Sequence, residues 1–141
     1  MLRIVVDTNI WVWALLGGQV SLPVLEAMRN RQFALLVSRE LLAELREVAR
    51  RPRLKKAIDD FDLQELLELL EQRGEFVRLE TVPPRCRDPK DEPVLATAID
   101  GHADAIVTGD DDLRADDQLR QEMLAFGVQL WGTQSLLDAL H

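Results

Sequence analysis

The chain has 141 residues, 47% of them apolar and 30% charged, with a net charge of −8 at neutral pH and a single cysteine. That length suffices for one domain with a buried core, and one cysteine excludes an internal disulfide, so Cys86 is expected to be a reduced thiol with no chemical role. No apolar run approaches the roughly twenty residues of a membrane span, which places the protein, as an expectation, in the cytoplasm with no membrane partner.

Residues 2–6, LRIVV, form a β-branched run that breaks at once into Asp7-Thr8-Asn9, the pattern of a buried parallel-type strand ending in a polar turn. A helix is expected from about Ile10 to Leu16, with Trp11, Ala14 and Leu15 at helical spacing and Gly17-Gly18 as its stop. Pro23 suits the first turn of a second helix, PVLEAMRNR. FALLV reads as the second strand. Ser38 then caps a long helix, RELLAELREVARR, whose Leu41, Leu42, Leu45, Val48 and Ala49 make one apolar stripe, and Pro52 ends it. Another helix follows in IDDFDLQELLELLEQRG, with Gly74 expected as a left-handed cap. EFVRL is the third strand, and the loop TVPPRCRDPKDEP leads to the helix VLATAIDGHA, the short strand AIVT and the acidic turn Gly109-Asp110-Asp111-Asp112. A last strand, VQLW, and a helix after Thr133 complete the chain. Short strands alternating with helices imply parallel pairing through right-handed crossovers. No repeat or linker divides residues 1–141, so one α/β domain is expected.

In an open parallel sheet, ligands bind in the crevice outside the carboxyl ends of the strands. Asp7 follows the first strand directly, and Asp110 follows AIVT after one glycine. Glu44 lies in the helix after the second strand, and Asp91 begins the helix leading to AIVT. Four carboxylates converging on one crevice repel each other unless cations or protons fill the space, and hard oxygen ligands suit Mg²⁺ or Mn²⁺. Such a metal activates a water and neutralises a phosphoryl oxygen, which makes phosphodiester hydrolysis the natural reaction. Three of these sites also have a plainer reading: Asp7 as a helix cap, Glu44 as an exposed helix residue, Asp110 to Asp112 as a solvated turn. The two histidines, His102 and the terminal His141, offer no nucleophilic set, and no phosphate-cradling glycine motif is present.

The acidic net charge argues, taken alone, against a nucleic-acid partner. Its distribution points the other way. Residues 46–56 carry Arg46, Arg50, Arg51, Arg53, Lys55 and Lys56 against the single acid Glu47, and Arg46, Arg50, Arg53 and Lys55 are candidates for guiding an RNA backbone. The plainer reading is a solvated helix face. Trp11, Trp13 and Trp131 are capable of stacking on bases, but aromatic residues in such settings more often serve the core or a dimer contact.

Val5-Val6-Asp7-Thr8-Asn9, Glu44 in its helix, Asp91 ahead of Leu95-Ala96-Thr97-Ala98, and Ile106-Val107-Thr108-Gly109-Asp110 with Asp112 close behind resemble the motifs of PIN-domain nucleases. The likeness is greatest to the bacterial VapC-like toxins and a related toxin group, and it runs in order through nearly the whole chain. It implies a PIN-like three-layer α/β/α domain with a central, mostly parallel sheet of four to five strands flanked by helices. It further implies a Mg²⁺- or Mn²⁺-dependent endoribonuclease, the toxin of a type II toxin–antitoxin pair, with a small antitoxin partner and a homodimeric state. Position by position, Asp7, Glu44, Asp91 and Asp110 match the catalytic, metal-holding acids and Asp112 an accessory acid. Asn9 and Thr108 match polar supports, Thr108 by holding a carboxylate or a water. Asp88 or Glu92 takes the place of Asp91 if the register of the preceding loop shifts. The alternatives are an RNA-maturation nuclease with the same chemistry and an inactive PIN-like module that binds RNA or protein.

Overall fold

The β-branched run at the start of the chain becomes the middle of the sheet. In the computed structural model, which describes residues 1–82 and 91–141, β1 (Arg3–Val6), β2 (Ala34–Val37), β3 (Glu75–Phe76), β4 (Ala105–Val107) and β5 (Gln129–Trp131) pair in parallel in the order β3-β2-β1-β4-β5. Cys86 and Asp88 lie outside the described residues. Ile4 sits opposite Leu35 of β2 and Ala105 of β4, and Ile4, Val5, Ala105, Ile106 and Val107 are all fully buried. A parallel strand with helices on both sides has no polar face, and that is why these runs lack alternation.

The two-residue side-chain period divides the core into two layers. Ile4, Val6, Leu35, Val37 and Val107 point to one face, where α1 (Thr8–Leu15), α2 (Leu22–Arg29), α3 (Arg39–Ala49), α5 (Asp60–Arg73) and α9 (Thr133–Ala139) contribute Trp11, Met28, Leu45, Leu67 and Leu136. Val5, Leu36 and Ile106 point to the other, against Leu95 of α6 (Glu92–Asp100), Leu113 of α7 (Asp111–Ala115), and Leu119 and Met123 of α8 (Asp117–Leu124). The result is the expected three-layer α/β/α domain, with five strands and every pairing parallel.

Several local expectations hold and several do not. The Ser38 hydroxyl accepts from the Leu41 N–H at 3.3 Å and caps α3. Gly17, at φ +81, ends α1, and the Gly18 N–H donates to the Trp13 carbonyl at 2.8 Å. Gly74 is not a left-handed cap: it is extended (φ −81, ψ 146), and glycine is required because a Cβ there would lie 2.6 Å from Val37 Cγ2 and 2.7 Å from the Leu70 carbonyl. Helix α1 begins at Thr8 rather than near Ile10. Pro52 both ends the α3 run and opens a short helix, α4 (Pro52–Lys55), in the first-turn position proline tolerates. EFVRL shrinks to Glu75–Phe76, an exposed edge strand whose length and charge blunt further pairing. The acidic turn after β4 is the start of α7, and α8 follows it; neither helix was expected. Among the described residues no helix is long and apolar enough to cross a membrane.

The chain runs outward from β1 through β2 to β3, then returns to the far side of β1 through β4 to β5. The strand order therefore reverses between β1 and β4, and a crevice opens at their carboxyl ends.

Candidate active site

Asp7 and Asp110 flank that reversal point. Asp7 is the residue after β1, and its backbone N–H donates to the Val107 carbonyl at 2.9 Å, prolonging the β1–β4 pairing. The residue is 6% exposed, which is little for an aspartate. One hydroxyl organises both acids. Thr108, fully buried at the end of β4, donates from Oγ1 to Asp7 Oδ2 at 2.8 Å and accepts the Asp110 backbone N–H at 3.0 Å. Asp110 Oδ1 in turn accepts the N–H groups of Asp112 at 2.9 Å and Leu113 at 3.3 Å, capping α7. A hydroxyl has one proton to give and lone pairs to receive with, and here both capacities are used.

Thr108→Val, close in shape, removes that donor and that acceptor together and leaves a buried carboxylate oxygen and an N–H without their partner. It is expected to cost roughly 1–3 kcal/mol of stability, read as a lower urea midpoint, with Thr108→Ser keeping most of it. An unchanged midpoint for the valine variant would mean that the hydroxyl does not hold the turn.

Asp7 occupies the N-cap position of α1 without a side-chain bond of capping geometry. Burial raises its pKa above the ordinary aspartate value; Thr108 and the Thr8 and Asn9 N–H groups pull it back, and the neighbouring Asp110 pushes it up further. Glu44 lies on the inner side of α3, which packs against α1, and is half-buried. Its pKa is also raised, by burial first and by Asp7 second, against the Thr8 hydroxyl, which favours the ionised form. Asp7 is thus coupled to Asp110, which raises its pKa, and to Glu44, whose pKa it raises. Thr8, buried and engaged with Glu44, is a supporting residue that was not predicted. Asn9 is exposed beside it in the first turn of α1.

Asp91 stands at the head of α6 and lines, with Asp110, Asp112, Leu113, Asp116 and Asp117, an open cleft of about 560 Å³. Glu92, in the first turn of α6, is half-buried and is not among the residues lining it. Asp7 and Glu44 are not among them either; Asp7 is linked through Thr108 to Asp110, which does line the cleft, and Glu44 is linked to Thr8 and to Asp7. The buried Ser38 and Thr97 hydroxyls meet at 2.9 Å and Thr97 donates to the Pro93 carbonyl at 2.7 Å, which fixes α3, carrying Glu44, against α6, headed by Asp91. Asp116 and Asp117 were not predicted. Asp116 caps α8 by accepting the Leu119 N–H at 3.1 Å, and an Asp ahead of Leu119 and Met123 at i, i+4 was the signal for it.

Among the described residues no three His, Cys, Asp or Glu side chains stand close enough, as placed, to share one metal ion. The donor set nonetheless suits Mg²⁺ or Mn²⁺. Such ions keep several waters and need only one or two direct carboxylates, and Asp7 and Asp110, tied to one hydroxyl, offer oxygen donors beside a cleft lined by further acids. The basic segment contributes no residue to the lining of that cleft. Arg46 is two positions from Glu44 and therefore on nearly the opposite side of α3, in a groove with Arg39, Leu42, Glu71 and Phe76, while Arg50, Arg53 and Lys55 are exposed at the end of α3 and on α4. It is Arg51, bridged to Glu47 at 3.3 Å, whose charge acts on Glu44. Trp11 is core at 4% exposed, Trp131 is half-buried with its N–H on Gln129 Oε1 at 2.8 Å, and Trp13 is 46% exposed.

No curated protein sequence is significantly similar to the chain. Among solved structures, it superposes with a TM-score of 0.59 on a chain of VapBC2 from Rickettsia felis bound to a DNA fragment from their promoter, at 16% identity over 93% of this chain and 98% of that one. The fold is therefore shared where little of the sequence is. A model of the PIN domain matches residues 3–112, from the first residue of β1 to Asp112 in the first turn of α7, and with that span holding Asp7, Glu44, Asp91 and Asp110 the chain belongs to the PIN-domain family.

Proposed function

We propose that the protein is a Mg²⁺- or Mn²⁺-dependent endoribonuclease that hydrolyses RNA phosphodiesters, and that it is the toxin of a type II toxin–antitoxin pair. Family membership supports a phosphodiester-cleaving enzyme, and the likeness in fold to a chain of the VapBC2 assembly supports the toxin reading, with a small antitoxin as partner. The single observation that carries the chemistry is the Thr108 hydroxyl joining Asp7 and Asp110 across the reversal point of the sheet. Asp7 and Asp110 would hold the ion directly, and Glu44, Asp91 and Asp112 would act through its waters. When bound, the metal supplies an activated water and neutralises charge on the phosphoryl oxygen.

The remaining work falls to the chain itself. Thr108 keeps one Asp7 oxygen engaged so that the other is directed, the head of α1 favours the ionised form, and the cleft by Asp91 and Asp110 leaves room for a phosphodiester. A module without catalysis would have no reason to keep a buried carboxylate beside two others, since that arrangement opposes folding until a cation arrives. The test is cleavage of single-stranded RNA by purified, antitoxin-free protein, present with Mg²⁺ or Mn²⁺ and absent with chelator; intact RNA under both conditions would defeat the reading. An RNA-maturation nuclease would share this chemistry, and growth arrest relieved by a co-expressed small neighbouring gene product separates the toxin from it. A homodimer acting in the cytoplasm completes the proposal.

Arg46, Arg50, Arg53 and Lys55 are proposed to guide the RNA backbone toward the acids. Arg50→Glu with Arg53→Glu should weaken binding at low salt and lower the slope of log affinity against log salt by about 1.4, at ~0.7 per phosphate contact on a single strand. A slope equal to that of the wild type would dismiss the guide.

A further inference from the structure

Trp13 and Gly109 fill each other's space. A Cβ on Gly109 would lie 2.8 Å from Trp13 Cζ3 and 3.3 Å from Cη2, so glycine is required here by the approach of the ring and not by a left-handed backbone. One edge of the indole is thereby seated on the turn between Thr108, which bonds Asp7, and Asp110, which heads the cleft. The residue as a whole is 46% exposed, on a helix whose neighbouring tryptophan, Trp11, is core. A large, nearly half-exposed aromatic residue packed on the glycine that precedes Asp110 is the feature that the proposed chemistry leaves unused.

We propose that Trp13 is a base-stacking residue, whose exposed part receives a nucleobase next to the scissile phosphate at the metal site of Asp7 and Asp110, and so sets where a single-stranded RNA lies. The inference rests on the ribonuclease reading above. Stacking suits this position for two reasons. The ring is already fixed by its seat on Gly109, so ordering it on binding costs little, and a neutral π-face adds affinity where Asp110, Asp111 and Asp112 repel a phosphate backbone. Every base has a π-face, so the residue fixes register along the strand without selecting base identity.

The experiment measures binding of a short fluorescein-labelled single-stranded RNA to the wild type and to Trp13→Phe, Trp13→Leu and Trp13→Ala, with Ca²⁺ in place of Mg²⁺ or Mn²⁺ so that affinity is read without turnover. The leucine and alanine variants should lose roughly five- to hundred-fold in affinity and the phenylalanine variant little. One abasic nucleotide in the strand should weaken the wild type by a similar factor and leave Trp13→Leu unaffected. Trp13→Phe, which keeps a ring against Gly109, should match the wild type in melting temperature and Mn²⁺ binding heat as well as in RNA affinity, and the abasic strand, which leaves the protein untouched, reads a loss that a merely structural ring would not produce. Equal affinity of the wild type and Trp13→Leu overturns the proposal and hands the exposed ring to a protein partner; a wild type that binds no RNA overturns it as well. Cleavage by every variant with an unchanged KM would sink the stacking and leave the ribonuclease standing, whereas ring-dependent binding without cleavage in Mg²⁺ or Mn²⁺ would do the reverse.

Discussion

Asp7→Asn should bring metal-dependent RNA cleavage down by at least about a hundred-fold, the upper end of what loss of a residue that merely supports a metal ligand costs, while making the metal-free protein harder to melt. The two effects share one cause. Burial of the Asp7 carboxylate raises its pKa, Asp110 raises it further, and Asp7 in turn raises that of Glu44. An asparagine keeps the shape and an oxygen for the Thr108 hydroxyl, so the packing around β1 and β4 stays, yet it has no charge to desolvate and none to offer a cation. Activity and stability are therefore traded at this position, as they are wherever a site holds charges the fold alone would not choose. Cleavage is read on single-stranded RNA in Mn²⁺, and melting by circular dichroism in chelator. A variant that cuts at the wild-type rate would remove Asp7 from the chemistry. A variant that melts lower in chelator would show instead that the carboxylate stabilises the fold.

Asp7 and Asp110 were legible in the sequence because each lies just past a β-branched run, and in a parallel sheet the end of such a run is the edge where sites form. Thr108 was legible as a support only through the family motif. That its one hydroxyl ties Asp7 to the backbone of Asp110 depends on β4 lying beside β1, a pairing over a hundred residues that no local pattern specifies. Helices α7 and α8 escaped for a physical reason: DDLRA and DQLRQEML bury only Leu113, Leu119 and Met123, too thin an apolar stripe to stand out from a polar loop. With them went Asp116 and Asp117, whose place on the cleft follows from that helix pair. Gly74 shows how one residue type serves two needs. A glycine at a helix end reads as a left-handed cap, whereas this one is extended and is there because Val37 and Leu70 leave no room for a side chain. The basic run was visible at once, but its position, with Arg46 nearly opposite Glu44 on α3 and Arg51 near enough for its charge to act on Glu44, required the helix axis to be known.

Metal should reverse the order of stability, and the pH dependence identifies the groups responsible. Asp7 and Glu44 both hold their protons to higher pH in the folded chain than in the unfolded one, where the ordinary values are 3.8 and 4.5. Within that window the native state binds more protons than the unfolded state, so their contribution to stability falls as pH rises through the folded pKa values and is fully lost above them. Glu75, held below its ordinary value by Arg3, and Asp100, held low by the Glu80 and Thr81 N–H groups and the Thr81 hydroxyl, act in the opposite sense, losing stability as pH falls. The clean quantity is therefore the difference in melting temperature between Asp7→Asn and the wild type in chelator. It should vanish at acid pH, where Asp7 is protonated in both states, and grow in favour of the variant toward neutrality. Saturating Mn²⁺ at neutral pH should invert it: a ligand at a hundred times its Kd adds about 2.7 kcal/mol, or about 10 °C for a chain of this length, to the wild type, and far less to a variant lacking one ligand. The gain should fade as pH falls and protons compete for Asp7. A Mn²⁺ shift equal in the two proteins, or one that does not weaken in acid, would mean that the ion is held somewhere other than by Asp7.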